Sequence, residues 1–369
     1  MIAFASDQRM PTLDIEGTLL TPSSPGFAEA IAQAYRRRRR PRCLCCPEGI
    51  EMYVARLADG YIVKRMPDTG GRHAPDCPSF EAPAEISGLQ HLLRSAIKED
   101  PNTGMTTLRV GFSLSQRPAR TTPAPSRSPS GTASSMVTRL SLRGLLHYLW
   151  DQAELKRWHP GFEGRRSWGT VRRQLLQAAE QMFTCGEALA TRLYVPEPFS
   201  VEHRDAIIAR RRDMWGCAGG REDGRQRLLL LIAEVKEIAP ARLGHKVVIK
   251  HVPDVAFAMD DSLYRHLPQR FAKELELWSA SDSIRLLMIA TLMISGAGLP
   301  HLVELSLMTV TAQWLPVETS AEQQLVEGLV KNQRAFLKLL NYDLRSATKL
   351  ASVALTDRGA PAPLLFTGG

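Results

Sequence analysis

Apolar positions repeat at helical spacing in several stretches of this chain. They do so over FAEAIAQAY from Phe27, over Leu142–Leu155, over Ser167–Met182 and over Leu263–Trp278. Each is expected to form a helix with at least one buried face. Ser167 is placed as a side-chain N-cap for its helix. Further helices are expected over Gly88–Lys98 and Ser320–Leu340. Other runs are rich in β-branched and aromatic residues and read as strands: Met52–Arg56, Tyr61–Arg65, Leu108–Leu114, Leu228–Ile238, Lys246–Ile249, Leu286–Met293 and Val303–Val310. Leu57-Ala58-Asp59-Gly60 joins the first two of these as a hairpin turn. Leu350–Leu355 and Leu364–Phe366 are expected to pair as a terminal hairpin.

Between these patterned regions lies RPARTTPAPSRSPSGTASS, which is rich in Pro, Ser and Thr and has almost nothing to bury. It marks residues 116–138 as a linker. The expected organisation is α+β: a β-hairpin domain over 1–115, a helical domain over 139–225 and a mixed α/β domain over 226–369. In the middle segment, a helix, a break at Trp158-His159-Pro160-Gly161 and a second helix bearing Arg172 and Arg173 match the order of a helix-turn-helix or winged module. Two ordinary amphipathic helices would read the same way.

Length and charge narrow the function classes. A chain of 369 residues has room for more than one core, and its 44% apolar content can fill them. No apolar run is long enough to span a bilayer, and the first residues do not read as a secretion signal, so a cytoplasmic, membrane-free protein is expected. The net charge is +9, concentrated at Arg36–Arg42, Arg165–Arg166, Arg172–Arg173 and Arg210–Arg212. Such clusters suit a polyanion such as nucleic acid, although solvated surface arginines would look alike in composition.

Three of the six cysteines fall in Cys43-Leu44-Cys45-Cys46, just after five consecutive arginines, Arg36, Arg37, Arg38, Arg39 and Arg40. His73-Ala74-Pro75-Asp76-Cys77 follows beyond the hairpin. In a reducing compartment, clustered Cys and His point to a metal rather than to disulfides. Cys43 and Cys45 with His73 and Cys77 give two ligand pairs on two short turns, the pattern of a closed structural zinc site. Cys46 is a fifth candidate for four places. Cys185 and Cys217 stand alone and are expected to be packed thiols. The acid-x-lysine of Glu234-Val235-Lys236 is expected on an edge strand with solvated charges. No phosphate-binding glycine loop or nucleophile elbow is found.

The segments RCLC, MYVARL, YIVKRMPDTG, HAPDCPSFE and EISGL, continuing through LLHYLWDQAEL, IKHVPD and WLPVET, resemble an uncharacterised family of unknown function encoded on proteobacterial plasmids and integrative conjugative elements. The resemblance implies a mobile-element setting and partner proteins from the same element. Residues 308–369 also resemble the nuclease-type region of PD-(D/E)xK proteins. There, Glu322 matches the helix acid, but Ser352 and Leu365 stand where strand acids are required, leaving Asp357 at a strand end. The expectation is therefore a zinc-stabilised nucleic-acid-binding accessory protein, with Arg36–Arg40, Arg172 and Arg173 on phosphates of DNA more than RNA. A metal-dependent nuclease and a protein–protein adaptor in a conjugation or defence assembly are the alternatives.

Overall fold

The computed structural model describes residues 11–57, 60–83, 89, 92–93, 95–116, 139–219, 221–222, 224–342 and 351–367. Its N-terminal sheet is built from β1 (Leu13–Ile15), β2 (Thr18–Leu20), β3 (Arg42–Cys43), β4 (Ile50–Leu57) and β5 (Gly60–Arg65), in the order β2-β1-β3-β4-β5. The β4–β5 pairing is the hairpin expected from the alternating apolar residues, with Val54 opposite Val63. Helix α1 (Phe27–Arg36) buries Ile31 and Ala34 against this sheet.

The middle of the chain adds β6 (Ile97–Asp100), β7 (Met105–Leu108), β8 (Ser115–Gln116), α2 (Leu142–Gln152), β9 (Arg157–Trp158), α3 (Trp168–Ala179), β10 (Met182–Thr184), β11 (Glu187–Ala188) and β12 (Leu193–Tyr194). Ser141 and Ser167 cap the two helices through hydrogen bonds from the amides of Gly144 and Thr170. Helix α2 is apolar almost all round and is correspondingly buried from Gly144 to Asp151. Residues 153–167 separate α2 from α3 and contain β9, so the pair lacks the short turn of a helix-turn-helix. The expected helix over Gly88–Lys98 lies partly outside the described residues, and its last two residues belong to β6. The strand expected over Leu108–Leu114 instead ends at Leu108. Of the expected linker, Gln116 is in β8 and residues 117–138 lie outside the described residues.

The C-terminal part holds α4 (Arg204–Gly219), β13 (Arg221–Glu222), β14 (Arg225–Arg227), β15 (Leu229–Pro240), β16 (His245–Ile249), β17 (Val252–Met259), α5 (Asp261–Arg270), α6 (Ala272–Ala280), β18 (Arg285–Ile294), β19 (Pro300–Val310), α7 (Ser320–Lys331), β20 (Phe336–Lys338), β21 (Val353–Leu355) and β22 (Leu364–Leu365). The long helix expected to run to Leu340 stops at Lys331. Gln333 takes a left-handed backbone, and the next apolar residues, Phe336 and Leu337, enter β20 and are fully buried. The expected terminal hairpin is present as β21–β22.

Strands β15, β16, β17, β19 and β18 pair in that order, and β18 pairs back onto β15, so the sheet closes into a barrel. The uninterrupted apolar run Leu229–Ala233 follows from this position. Leu229, Leu231, Ala233 and Val235 fill the barrel, whereas Leu230 and Ile232 pack with α2 and α3 on its outer side. Sheets also join the three expected segments: β7 pairs with β10, β9 with β20, β8 with β14 and β12 with β15.

An ionic cluster ties the N-terminal sheet to α2. Glu81 lies 2.5 Å from Arg65 and 2.9 Å from Lys156, and Lys156 also pairs with the buried Asp151. Arg157 donates to the carbonyls of Pro78 and Phe80, both at 2.8 Å. Burial alone would raise the Glu81 pKa, but Arg65, Lys156 and Arg157 hold it down to about 2. Burial and the Glu81 charge raise Asp151 to about 6. Replacing Glu81 by alanine leaves Arg65 without its anion and Lys156 with Asp151 alone. Urea denaturation should show a loss of about 3–5 kcal/mol, and adding Lys156→Met should return part of it. An unchanged midpoint for Glu81→Ala would mean that the cluster is solvated and not structural.

Candidate metal centre

Two turns bring Cys43, Cys45, His73 and Cys77 together. The first leaves β3 at Cys43, whose neighbour across the sheet is Leu13. The Gly49 amide closes this turn onto the Cys46 carbonyl at 3.0 Å, with Gly49 in the left-handed region. Arg42 staples the turn through the Glu48 carbonyl at 2.6 Å. The second turn begins in a short 3-10 helix at Gly70–Arg72 and runs to Glu81. Gly70 accepts from the amides of His73 and Glu81, and a Cβ on it would meet the Glu81 Cβ at 2.6 Å. Only glycine allows the two ends of this turn to approach so closely.

The donor atoms of the four residues all lie within 4.8 Å of one another. Cys43 Sγ and Cys77 Sγ are 3.7 Å apart, Cys45 Sγ is 3.3 Å from His73 Nδ1, and Cys77 Sγ is 3.7 Å from that same nitrogen. Cys43, His73 and Cys77 are buried and Cys45 is half-buried. The Ser79 amide donates to Cys77 Sγ at 3.4 Å. The arrangement could hold a metal ion, with three sulfurs and one nitrogen as its ligands. Cys46 is not among them. Its sulfur faces the Arg72 carbonyl at 3.4 Å and lies 4.0 Å from Cys45 Sγ. The adjacent-cysteine ambiguity of the sequence therefore resolves to Cys45.

The donors also govern one another's protons. Hydrogen bonding from the Cys77 thiol outweighs burial and lowers Cys43 to about 4 and Cys45 to about 6. The same contacts with Cys43 and Cys45, together with burial, push Cys77 upward. Three thiolates so close together therefore repel one another unless positive charge is added. A cation among them would supply that positive charge and leave all three as thiolates.

The other residues singled out from sequence are dispersed. Arg36 ends α1 and Arg37–Arg40 follow directly on it, and all five are exposed. Arg38 is left-handed, and the amides of Arg38 and Arg39 return to the carbonyls of Tyr35 and Ala34, which is a Schellman ending with arginine in the usual glycine place. Acids reach this run through space: Glu16 pairs with Arg37 at 3.1 Å and Arg39 at 3.9 Å, and Glu51 pairs with Arg40 at 3.2 Å. Arg172 donates to the Val195 carbonyl at 3.0 Å, while Arg173 is exposed. Cys185 is exposed, not packed, and the side chain of Cys217 lies outside the described residues.

Glu234 is on a barrel strand, not an edge. It is buried, lies 2.8 Å from Lys250 and 3.3 Å from Arg285, and a bulge after Val235 separates it from the exposed Lys236. Glu322, Lys338 and Ser352 line one polar cavity of about 160 Å³ with Glu318. Both of its carboxylates are matched by cations of the chain, Glu322 by Lys338 at 3.0 Å and Glu318 by Arg143 at 2.7 Å. Lys338 was missed from sequence because it was read as part of a helix.

A family model described as "Protein of unknown function (DUF1173)" matches residues 13–367. No curated protein and no solved structure matches the chain. Among the described residues, no helix is long and apolar enough to cross a membrane.

Native mass spectrometry should find one metal ion per chain. Cys45→Ser should lose it and Cys46→Ser should keep it, with affinity falling as pH falls because the ligands must lose protons. Retention by Cys45→Ser together with loss by Cys46→Ser would reverse the assignment. Chelation should raise hydrogen exchange across residues 43–80, and equal protection with and without metal would count against a structural ion.

Proposed function

The chain belongs to the DUF1173 family, and we propose that it is a zinc-stabilised nucleic-acid-binding accessory protein of a mobile genetic element. The observation that carries this reading is the placement of a basic run between a helix end and a metal-ligand turn. The sulfur–sulfur distance of 3.7 Å between Cys43 and Cys77 supports zinc, because bonds of ~2.3 Å at tetrahedral angles put sulfurs ~3.8 Å apart. Three thiolates and an imidazole close the coordination sphere, which suits a structural rather than a catalytic ion. Elemental analysis identifies the metal.

Arg36–Arg40 are anchored on one side by the Schellman ending of α1 and on the other by Cys43 in β3. A basic run held at both ends loses less freedom on binding a phosphate backbone than a floppy one does. Glu16 and Glu51 pair with Arg37, Arg39 and Arg40 only at the exposed surface, where such pairs are weak and exchange readily for phosphates. Among the described residues Arg36 and Arg38 make no ion pair. Arg172 supports the fold through Val195, so Arg173 is the better phosphate contact on α3. The mobile-element setting rests on the resemblance of the chain to proteins encoded there.

Replacing Arg36–Arg40 by alanine should weaken binding to all duplex sequences alike and reduce the salt slope by up to ~4. Fluorescence anisotropy over a salt series reads both. Unchanged affinity and slope would remove the run from the interface and favour a protein–protein adaptor.

A further inference from the structure

The barrel strands follow the order first, second, third, fifth, fourth and back to first, for β15, β16, β17, β19 and β18. The β17–β19 pair is parallel, the other pairings in the ring are antiparallel, and α5 and α6 lie between the third and fourth strands. This is the arrangement of the OB-fold, which binds oligonucleotides or oligosaccharides on the face of its second and third strands, between the loops joining first to second and fourth to fifth. A fold does not by itself assign a function, so the chemistry at those places has to decide.

The register gathers the two loops at one rim. Pro240 pairs with His245, His245 with Met259, and Met259 with Leu302. The loop 241–244 and the loop 295–299 therefore rise beside each other, with the start of α5 between them. Each loop holds a leucine in solvent: Leu243 is 90% exposed and Leu299 63%. Between them the His245 ring stacks on Tyr264 at 3.5 Å and 9°. The acids of this rim lie beside histidines, Asp261 at 3.0 Å from His245 and Asp260 at 3.4 Å from His301.

Below the rim the outer face is open. Ala239, Lys246, Ala258 and His301 form one cross-strand row, and Glu237, Val248 and Ala256 the next. The intervening Val247 and Phe257 point into the barrel and are fully buried. The opposite wall, formed by β15, β18 and β19, is already covered by α2 and α3. Lys236, Arg242 and Lys246 supply positive charge here and make no ion pair among the described residues. The acids that face them are Glu237 on β15 and Glu304 farther along β19, while Asp254 on β17 is bound to Arg211.

We infer that this rim and the β16–β17 face bind single-stranded nucleic acid. Arg242, Lys236 and Lys246 would follow phosphates. Leu243, Leu299 and the His245–Tyr264 stack would meet base faces, which a duplex keeps stacked and a single strand presents. Three cations that make no ion pair among the described residues favour a phosphate backbone over a neutral oligosaccharide. The inference rests on the nucleic-acid reading above but assigns a surface distinct from Arg36–Arg40.

The test uses the full-length, metal-loaded protein and anisotropy on labelled oligothymidine, oligouridine and a mixed-sequence duplex. The double variant Arg242→Ala/Leu243→Ser and the single variant Leu299→Ser should each lower single-strand affinity about tenfold, and duplex affinity less than twofold. Lys246→Glu should do the same. Should Lys246→Glu fail to fold, the loop variants decide, since Leu243 and Leu299 stand in solvent. The two single-stranded probes distinguish DNA from RNA. If the wild type binds nucleic acid and the loop variants bind oligothymidine and oligouridine as tightly as it does, this inference is overturned while the proposed function stands. If the wild type binds no nucleic acid, both fail. Binding of a neutral oligosaccharide at this rim, lost in Leu243→Ser, would also overturn it.

Discussion

A carboxylate in a protein interior has to be matched by cations, and Glu81 is matched by cations from two parts of the chain. Arg65 comes from the end of the N-terminal hairpin and Lys156 from just beyond α2. Neither is available unless the hairpin and the central helix are already placed against each other. Losing one partner from such a cluster costs far more than forming it gains, so its main effect is to fix one arrangement. Glu81 is also the last residue of the turn that carries His73 and Cys77, and its amide closes that turn onto Gly70. Two of the candidate metal ligands and the joint between the N-terminal sheet and the core therefore share one short segment.

This sharing explains why the N-terminal sheet can stand on a small core. Its buried apolar residues are few, and Cys43 and Cys77 are themselves among them. A core of this size contributes only about 3–5 kcal/mol on its own. An ion that draws three sulfurs and an imidazole to one point adds binding energy that the unfolded chain cannot collect. A metal ion held by these four residues would do in this region what a larger apolar core does elsewhere in the chain.

Much of this was legible from local pattern. The capped helix at Ser167, the Val54–Val63 hairpin and the Cys–His turns each declare themselves within a few residues, because caps, turns and ligand spacing are local chemistry. What was misread depended on distant partners. Glu16 and Glu51 reach the arginine run through space, which no local pattern announces. Phe336–Lys338 looked helical next to α7, yet β9 and β21 recruit it as a strand. Glu234 was placed on an edge because an acid-x-lysine reads as solvated. Closure of the barrel instead buries it beside Lys250 and Arg285. Four leucines in a row, Leu228–Leu231, announced burial on two sides but not which two cores they would separate.

That two-sided strand determines how the two proposed surfaces relate to each other. A slip of one residue in β15 would move Leu230 and Ile232 into the barrel and expel Leu229 and Leu231, so its register is firmly set. The wall it forms packs on α2 through the same core that holds Leu145 and Leu149. Helix α2 in turn carries Asp151, which shares Lys156 with Glu81. A continuous series of buried contacts therefore runs from the Cys–His turns and their flanking arginines, through α2, to the barrel and its rim. A polyanion that engaged both ends would meet two surfaces connected through packed side chains. The orientation cost of the second contact would then be met largely in folding.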